Sequence, residues 1–75
     1  MDKSSTYSFT VSGMHCASCG MLIDETLEDL PGVHRSQTSV RAGRTIIDVD
    51  PAIANEDTLI AAIAAAGYTA RRDPP

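Results

Sequence analysis

The sequence predicts an α+β fold in which two helices pack on one face of a four-stranded antiparallel sheet. Three observations predict it. The hydrophobic period switches between 2 and 3.6 along the chain, in the order strand, helix, strand, strand, helix, strand. Turn signals stand at the switches: Pro31-Gly32, Ala42-Gly43, Asp50-Pro51 and Gly67. The length, 75 residues, holds one small domain and not two.

Taken in order, Tyr7, Phe9 and Val11 alternate with Ser8, Thr10 and Ser12, the pattern of a half-buried strand, and Gly13 ends it. From Ser18 the period lengthens. Cys19, Leu22, Ile23, Thr26, Leu27 and Leu30 form one helical stripe, with Asp24, Glu25, Glu28 and Asp29 on the opposite, solvated face. Pro31-Gly32 stops this helix, because proline cannot continue it and glycine permits the reversal. Residues 33–40 are polar with several β-branched side chains, an edge or short strand, and residues 44–50 (RTIIDVD) form a better one. Ala42-Gly43 joins the two as a hairpin. Asn55 caps the second helix, with Glu56 and Asp57 in the first turn, where the helix dipole favours negative charge. Leu59, Ile60, Ile63, Ala64 and Ala66 give that helix a face of small residues, suited to lying close to the sheet, and Gly67 ends it. Residues 68–71 supply a last short strand. Two strand-helix-strand halves in this order make the ferredoxin-like βαββαβ arrangement. The expected division is a disordered N-terminus over 1–5, a domain over 6–71, and a tail or linker over 72–75.

Composition excludes several function classes. Apolar residues make up 43% and charged residues 21%, values of a soluble globular domain and not of a disordered tail. Ten acidic against six basic side chains leave a net charge of −4, which disfavours nucleic acid and anionic membrane surfaces. The longest apolar run, residues 59–66, falls far short of the roughly 20 needed to cross a bilayer, so no direct membrane insertion is expected. The first ten residues lack the basic start and apolar stretch of a secretory signal, which points to the cytoplasm. Met1 and a full set of elements favour a stand-alone protein, whereas Arg71-Arg72-Asp73-Pro74-Pro75 reads equally as a linker.

The chemistry concentrates in Gly13-Met14-His15-Cys16-Ala17-Ser18-Cys19, between the first strand and the first helix. Cys16 and Cys19 are the two cysteines of the chain. A disulfide between them would close a tiny loop and constrain little of the unfolded chain, so the pair is chemical rather than structural. The N–H groups and dipole of a helix start favour the thiolate, which is both metal ligand and nucleophile. Gly13 lets the chain turn out of the strand. Two soft thiolates suit Cu(I), Zn(II) or Hg(II) over magnesium or calcium. A closed four-sulfur zinc site within one chain is impossible, whereas a two-sulfur site suffices for nearly linear Cu(I) and leaves room for a partner's thiolate.

The segment resembles the G-M-x-C-x-x-C motif of the heavy-metal-associated domain family. Leu30-Pro31-Gly32-Val33 resembles that family's first helix end and Ala65-Ala66-Gly67-Tyr68 its second, so the likeness covers roughly residues 6 to 71. Members are small cytosolic copper chaperones and the N-terminal metal-binding domains of copper-transporting P-type ATPases. The resemblance implies Cu(I) bound through Cys16 and Cys19, docking onto a similar domain, and transfer through shared thiolates without covalent chemistry on a substrate. The implied partner is a copper-transporting P-type ATPase or its metal-binding domain, and copper bridging two copies into a homodimer is a further possibility. His15 stands where zinc-selective members often carry an acid, and Tyr68 resembles the bacterial branch, since eukaryotic chaperones carry lysine there.

The remaining residues have competing readings. Met14 reads as a core filler beneath the loop ahead of a thioether ligand. His15 is either a third ligand or a solvated loop residue. Tyr68 either shields the thiolates from water or closes the core. His34 follows the helix-ending turn and reads as a surface residue. The alternatives to copper carriage are a regulatory domain of an ATPase, a Hg(II)-handling domain, and a CxxC thiol–disulfide oxidoreductase. The last is disfavoured because Pro31, Pro51, Pro74 and Pro75 all sit in turns or the tail, none before a strand facing Cys16.

Overall fold

In the computed structural model, which describes residues 4–15 and 17–73, β1 (Ser5–Ser12), α1 (Ala17–Glu28), β2 (Val33–Ser39), β3 (Arg44–Val49), α2 (Glu56–Ala65) and β4 (Thr69–Arg72) follow one another. The strands form one sheet in the order β2-β3-β1-β4, antiparallel throughout. The fold is therefore the ferredoxin-like arrangement that the sequence predicts, with β2 and β4 at the edges.

Alternation along the strands sorts the sheet into two faces. Phe9, Val11, Ile47, Val49 and Ala70 point inward and meet Ile23 and Leu27 of α1 and Leu59 and Ile63 of α2. Asn55 caps α2 as expected: its side-chain oxygen accepts from the Thr58 N–H at 2.9 Å. Gly32 adopts φ +89°, and a Cβ there would stand 2.7 Å from that of Ile53, so glycine is required twice over. Ala54, in the connection before α2, is fully buried, a core position that no periodicity marks.

Three expectations are corrected. Leu22 does not join the buried stripe and is 45% exposed, while Gly20 is buried instead. The stripe is turned because α1 faces the sheet with Gly20, Ile23 and Leu27, and Asp24 reaches down to β2. The acidic face is accordingly not simply solvated. Asp24 accepts from the hydroxyls of Ser36 at 2.6 Å and Thr38 at 2.7 Å and from the Thr38 N–H at 3.3 Å, and Glu28 accepts from the Ser36 N–H at 3.2 Å. The third correction concerns the ends. Ser5 is already paired with Val49 in β1, and β4 runs to Arg72, one residue beyond the expected domain boundary. Asp73 is bound rather than frayed: its N–H donates to the Ser8 carbonyl at 2.8 Å, and its carboxylate takes the hydroxyls of Ser8 and Thr10 and pairs with Arg44.

Candidate metal centre

The βαββαβ path brings the β1–α1 loop, the β2–β3 hairpin and the α2–β4 connection to one end of the molecule, and specific contacts join them. The Val11 N–H, near the end of β1, donates to the Gly43 carbonyl of the hairpin at 2.8 Å. Gly20, in the second turn of α1, faces Val40 of the same hairpin; a Cβ at Gly20 would lie 2.9 Å from a Val40 methyl. Gly13 leaves β1 at φ +99°, a conformation that favours glycine, and a Cβ there would lie 3.4 Å from the ring of Tyr68. The end of β1, Gly13 and the start of α1 therefore rest on the other two connections.

The sequence-predicted residues take these places. Cys19 is the third residue of α1 and is half-buried. It lies in the turn whose N–H groups have no intrahelical acceptor, where a negative charge is stabilised by the helix dipole. No acidic residue occupies that first turn. Cys16 lies outside the described residues. Met14 is half-buried and packs against the core, His15 is exposed, and His34 is exposed on β2. Tyr68 is half-buried against the core with its ring beside Gly13, so core closure and proximity to the loop are properties of one side chain. Gly13, Met14, Cys19 and Tyr68 thus converge on one end of the sheet, with His15 on the same loop.

Two residues important to this end were not singled out by sequence reasoning. Gly20 sets how closely α1 approaches the hairpin, and Asp24 holds α1 against β2 through buried or half-buried hydroxyls. Thr38 extends that link by a 2.9 Å contact between its hydroxyl and that of fully buried Thr45. A glycine inside an amphipathic helix, one turn after its start, is the signal that marks Gly20. Nothing in the sequence marks Asp24 apart from its neighbours. It is also the carboxylate of α1 closest in sequence to Cys19, and both its oxygens are engaged by β2. Among the described residues, no group of three or more His, Cys, Asp or Glu comes together as a metal site.

Comparison with known proteins supplies the rest. The heavy-metal-associated domain model matches residues 8–69. The chain is 41% identical over 64 residues to a zinc-transporting ATPase of Synechocystis sp., covering 85% of this chain and 9% of that protein. It is 40% identical over 60 residues to mercuric reductase of Serratia marcescens (80% of the chain, 13% of that protein). It is 37% identical over 60 residues to copper-transporting ATPase RAN1 of Arabidopsis thaliana (80% and 6%). Among solved structures, a copper binding domain from HMA7, a P-type ATPase, superposes with a TM-score of 0.89 at 25% identity, covering 92% of this chain and 93% of that one.

Proposed function

The chain belongs to the heavy-metal-associated domain family, and we propose that it is a Cu(I)-carrying unit of that family, with Cys16 and Cys19 as the two ligands. What it shares with the relatives is a metal-binding domain, and it spans only 6–13% of the length of the three named above. The observation that carries the copper reading is the donor chemistry around Cys19. Cys19 sets a soft sulfur donor at a helix start free of first-turn carboxylates, and the α1 carboxylate closest in sequence, Asp24, is committed to β2. Zinc wants four ligands of nitrogen, sulfur or oxygen, whereas Cu(I) is content with two thiolates.

Copper is then cargo, not a resident cofactor. A partner's cysteine thiolate attacks the bound ion, a three-coordinate state forms, and one thiolate of this chain leaves; a second exchange completes the transfer. The ion keeps its oxidation state, and each sulfur that departs is replaced by one that arrives. The partner is the metal-binding domain of a copper-transporting P-type ATPase, met in the cytosol. Its complementary surface is basic or mixed, because α1 and α2 carry five carboxylates (Asp24, Glu25, Glu28, Glu56 and Asp57), with Asp29 just beyond α1, and no lysine or arginine. Met21, 65% exposed, and Leu22 lie one to two residues beyond the Cys19–Gly20 step and offer apolar contact beside the thiolate. His15 and Tyr68 shield or supplement the two sulfurs, and a copper-bridged pair of copies would use the same donor set.

A second reading is favoured by the small share of each relative that the chain covers: the same domain acting as the metal-binding module of an ATPase. Mercuric reductase among the relatives keeps Hg(II) as the other cargo to test. The deciding experiment is an anaerobic titration of the reduced protein with Cu(I) against a strong chromophoric Cu(I) chelator. Zn(II), Hg(II) and the Cys16→Ala/Cys19→Ala variant are run alongside. Withdrawal of Cu(I) from the chelator by wild type alone, with Zn(II) held far more weakly, supports the proposal. Failure to retain Cu(I) removes it and leaves Hg(II) carriage or thiol–disulfide exchange.

A further inference from the structure

In an antiparallel ladder, residues whose N–H and C=O face the neighbouring strand alternate with residues whose groups face away. On β2 the outward residues include Ser36 and Thr38, since their N–H groups reach not β3 but the carboxylates of Glu28 and Asp24, at 3.2 and 3.3 Å. β2 is the edge of the sheet and has seven residues, whereas the opposite edge, β4, has four. An exposed edge of this length is a template for pairing with another chain.

The β2 edge also matches itself. A two-fold axis through Gln37 would set Ser36 of one copy opposite Thr38 of the other. Each of these residues turns both its N–H and its C=O outward, so the two would exchange a full pair of hydrogen bonds at both positions. Arg35 would stand opposite Ser39 and Gln37 opposite Gln37, so no like charges would face each other along the strands. The obstacle lies on α1. Asp24 and Glu28 already occupy the two outward donors, and closing the edges would crowd four carboxylates together.

We infer that Asp24 and Glu28 form a cover over the β2 edge that prevents β2 from pairing with β2 of a second copy of this chain. The cover keeps the domain monomeric while leaving the metal-loop end, at the far end of α1 from Glu28, open to a partner. The two carboxylates thus do more than attach helix to sheet. They decide which surface of the molecule is available for association.

The test is sedimentation equilibrium of the reduced, metal-free chain at up to about 0.5 mM, with amide hydrogen exchange by NMR. Wild type is expected at its monomer mass of 7.9 kDa, with slowed exchange at Ser36 and Thr38 despite their edge position. Asp24→Ala/Glu28→Ala is expected to approach twice that mass. Adding Gln37→Lys, which places like charges face to face on the two-fold axis, should return it to monomer. A folded double variant that stays monomeric, or a wild type that dimerises as readily, overturns the inference. Where the double variant fails to fold, Glu28→Ala alone decides, because it leaves the Asp24 hydroxyl bonds in place. A raised mass that Gln37→Lys abolishes supports the cover, and an unchanged mass overturns it.

Discussion

Gly20→Ala sets two effects of similar size against each other. In an exposed helix the change would stabilise by about 1 kcal/mol, the difference in helix propensity between alanine and glycine. At this position the new Cβ would stand 2.9 Å from one methyl of Val40 and 3.3 Å from the methyl of Thr38. Carbon–carbon contacts are at their best near 3.5–4.0 Å, so the neighbours must give by roughly half an ångström or more. Neither gives easily. Val40 is β-branched and stiff about χ1, and the Thr38 hydroxyl is bound to both Asp24 and Thr45. Overpacking of this kind costs about 1–3 kcal/mol, so the net expectation is a destabilisation of about 1 kcal/mol. For a domain of this size that lowers Tm by about 4–8 °C. Guanidinium unfolding of the reduced protein measures it. Val40→Ala opens the space, so Gly20→Ala in that background should recover the propensity gain, and the double-mutant cycle should show coupling of about 1 kcal/mol or more. Gly20→Ala that stabilises by about 1 kcal/mol, with no coupling to Val40, would refute the claim that this glycine sets the distance between α1 and the hairpin.

Three other outcomes follow from the same contacts. Asp24→Ala strips acceptors from the Ser36 and Thr38 hydroxyls, and loses about 2 kcal/mol by denaturant unfolding; Asp24→Asn, which keeps an acceptor, loses less. Asn55→Ala removes the α2 cap and costs about 1 kcal/mol, read as a shift of the urea midpoint with unchanged slope. The hydroxyls of Thr10 and Ser8, with Arg44 beside them, hold the Asp73 carboxyl below its ordinary value of 3.8. Its contribution is therefore complete above that value and is lost as pH falls through the lower folded one, so the unfolding midpoints of wild type and Asp73→Asn should converge in that acidic range.

The order of elements, the position of the cysteine-bearing segment between β1 and α1, and the polarity of the two faces of β1 were legible, because they depend on local spacing. Period-2 alternation in β1, the Asn55 cap and the breaks at Pro31 and Gly67 act within a few residues of themselves. The segment from Gly13 to Cys19 could be put forward as a candidate site for the same reason, being contiguous. Tyr68 was recognised by likeness rather than by physics, since only folding brings position 68 beside position 13.

What the sequence could not decide was the rotation of α1 and the fate of its carboxylates. Leu22 and Gly20 exchange their expected burial because close approach to Val40 requires a glycine and because Asp24 finds hydroxyl donors on β2. Asp24, Glu25, Glu28 and Asp29 are alike as sequence, yet two of them bind an edge strand that begins several residues later. Asp73 looked like the start of a tail until Ser8, Thr10 and Arg44, each distant in the chain, were placed around it. Local pattern is set by spacing along one segment, and sequence alone determined it. The pairing of a carboxylate with a particular hydroxyl or backbone N–H depends on which strand lies alongside, and that is decided only when the sheet closes.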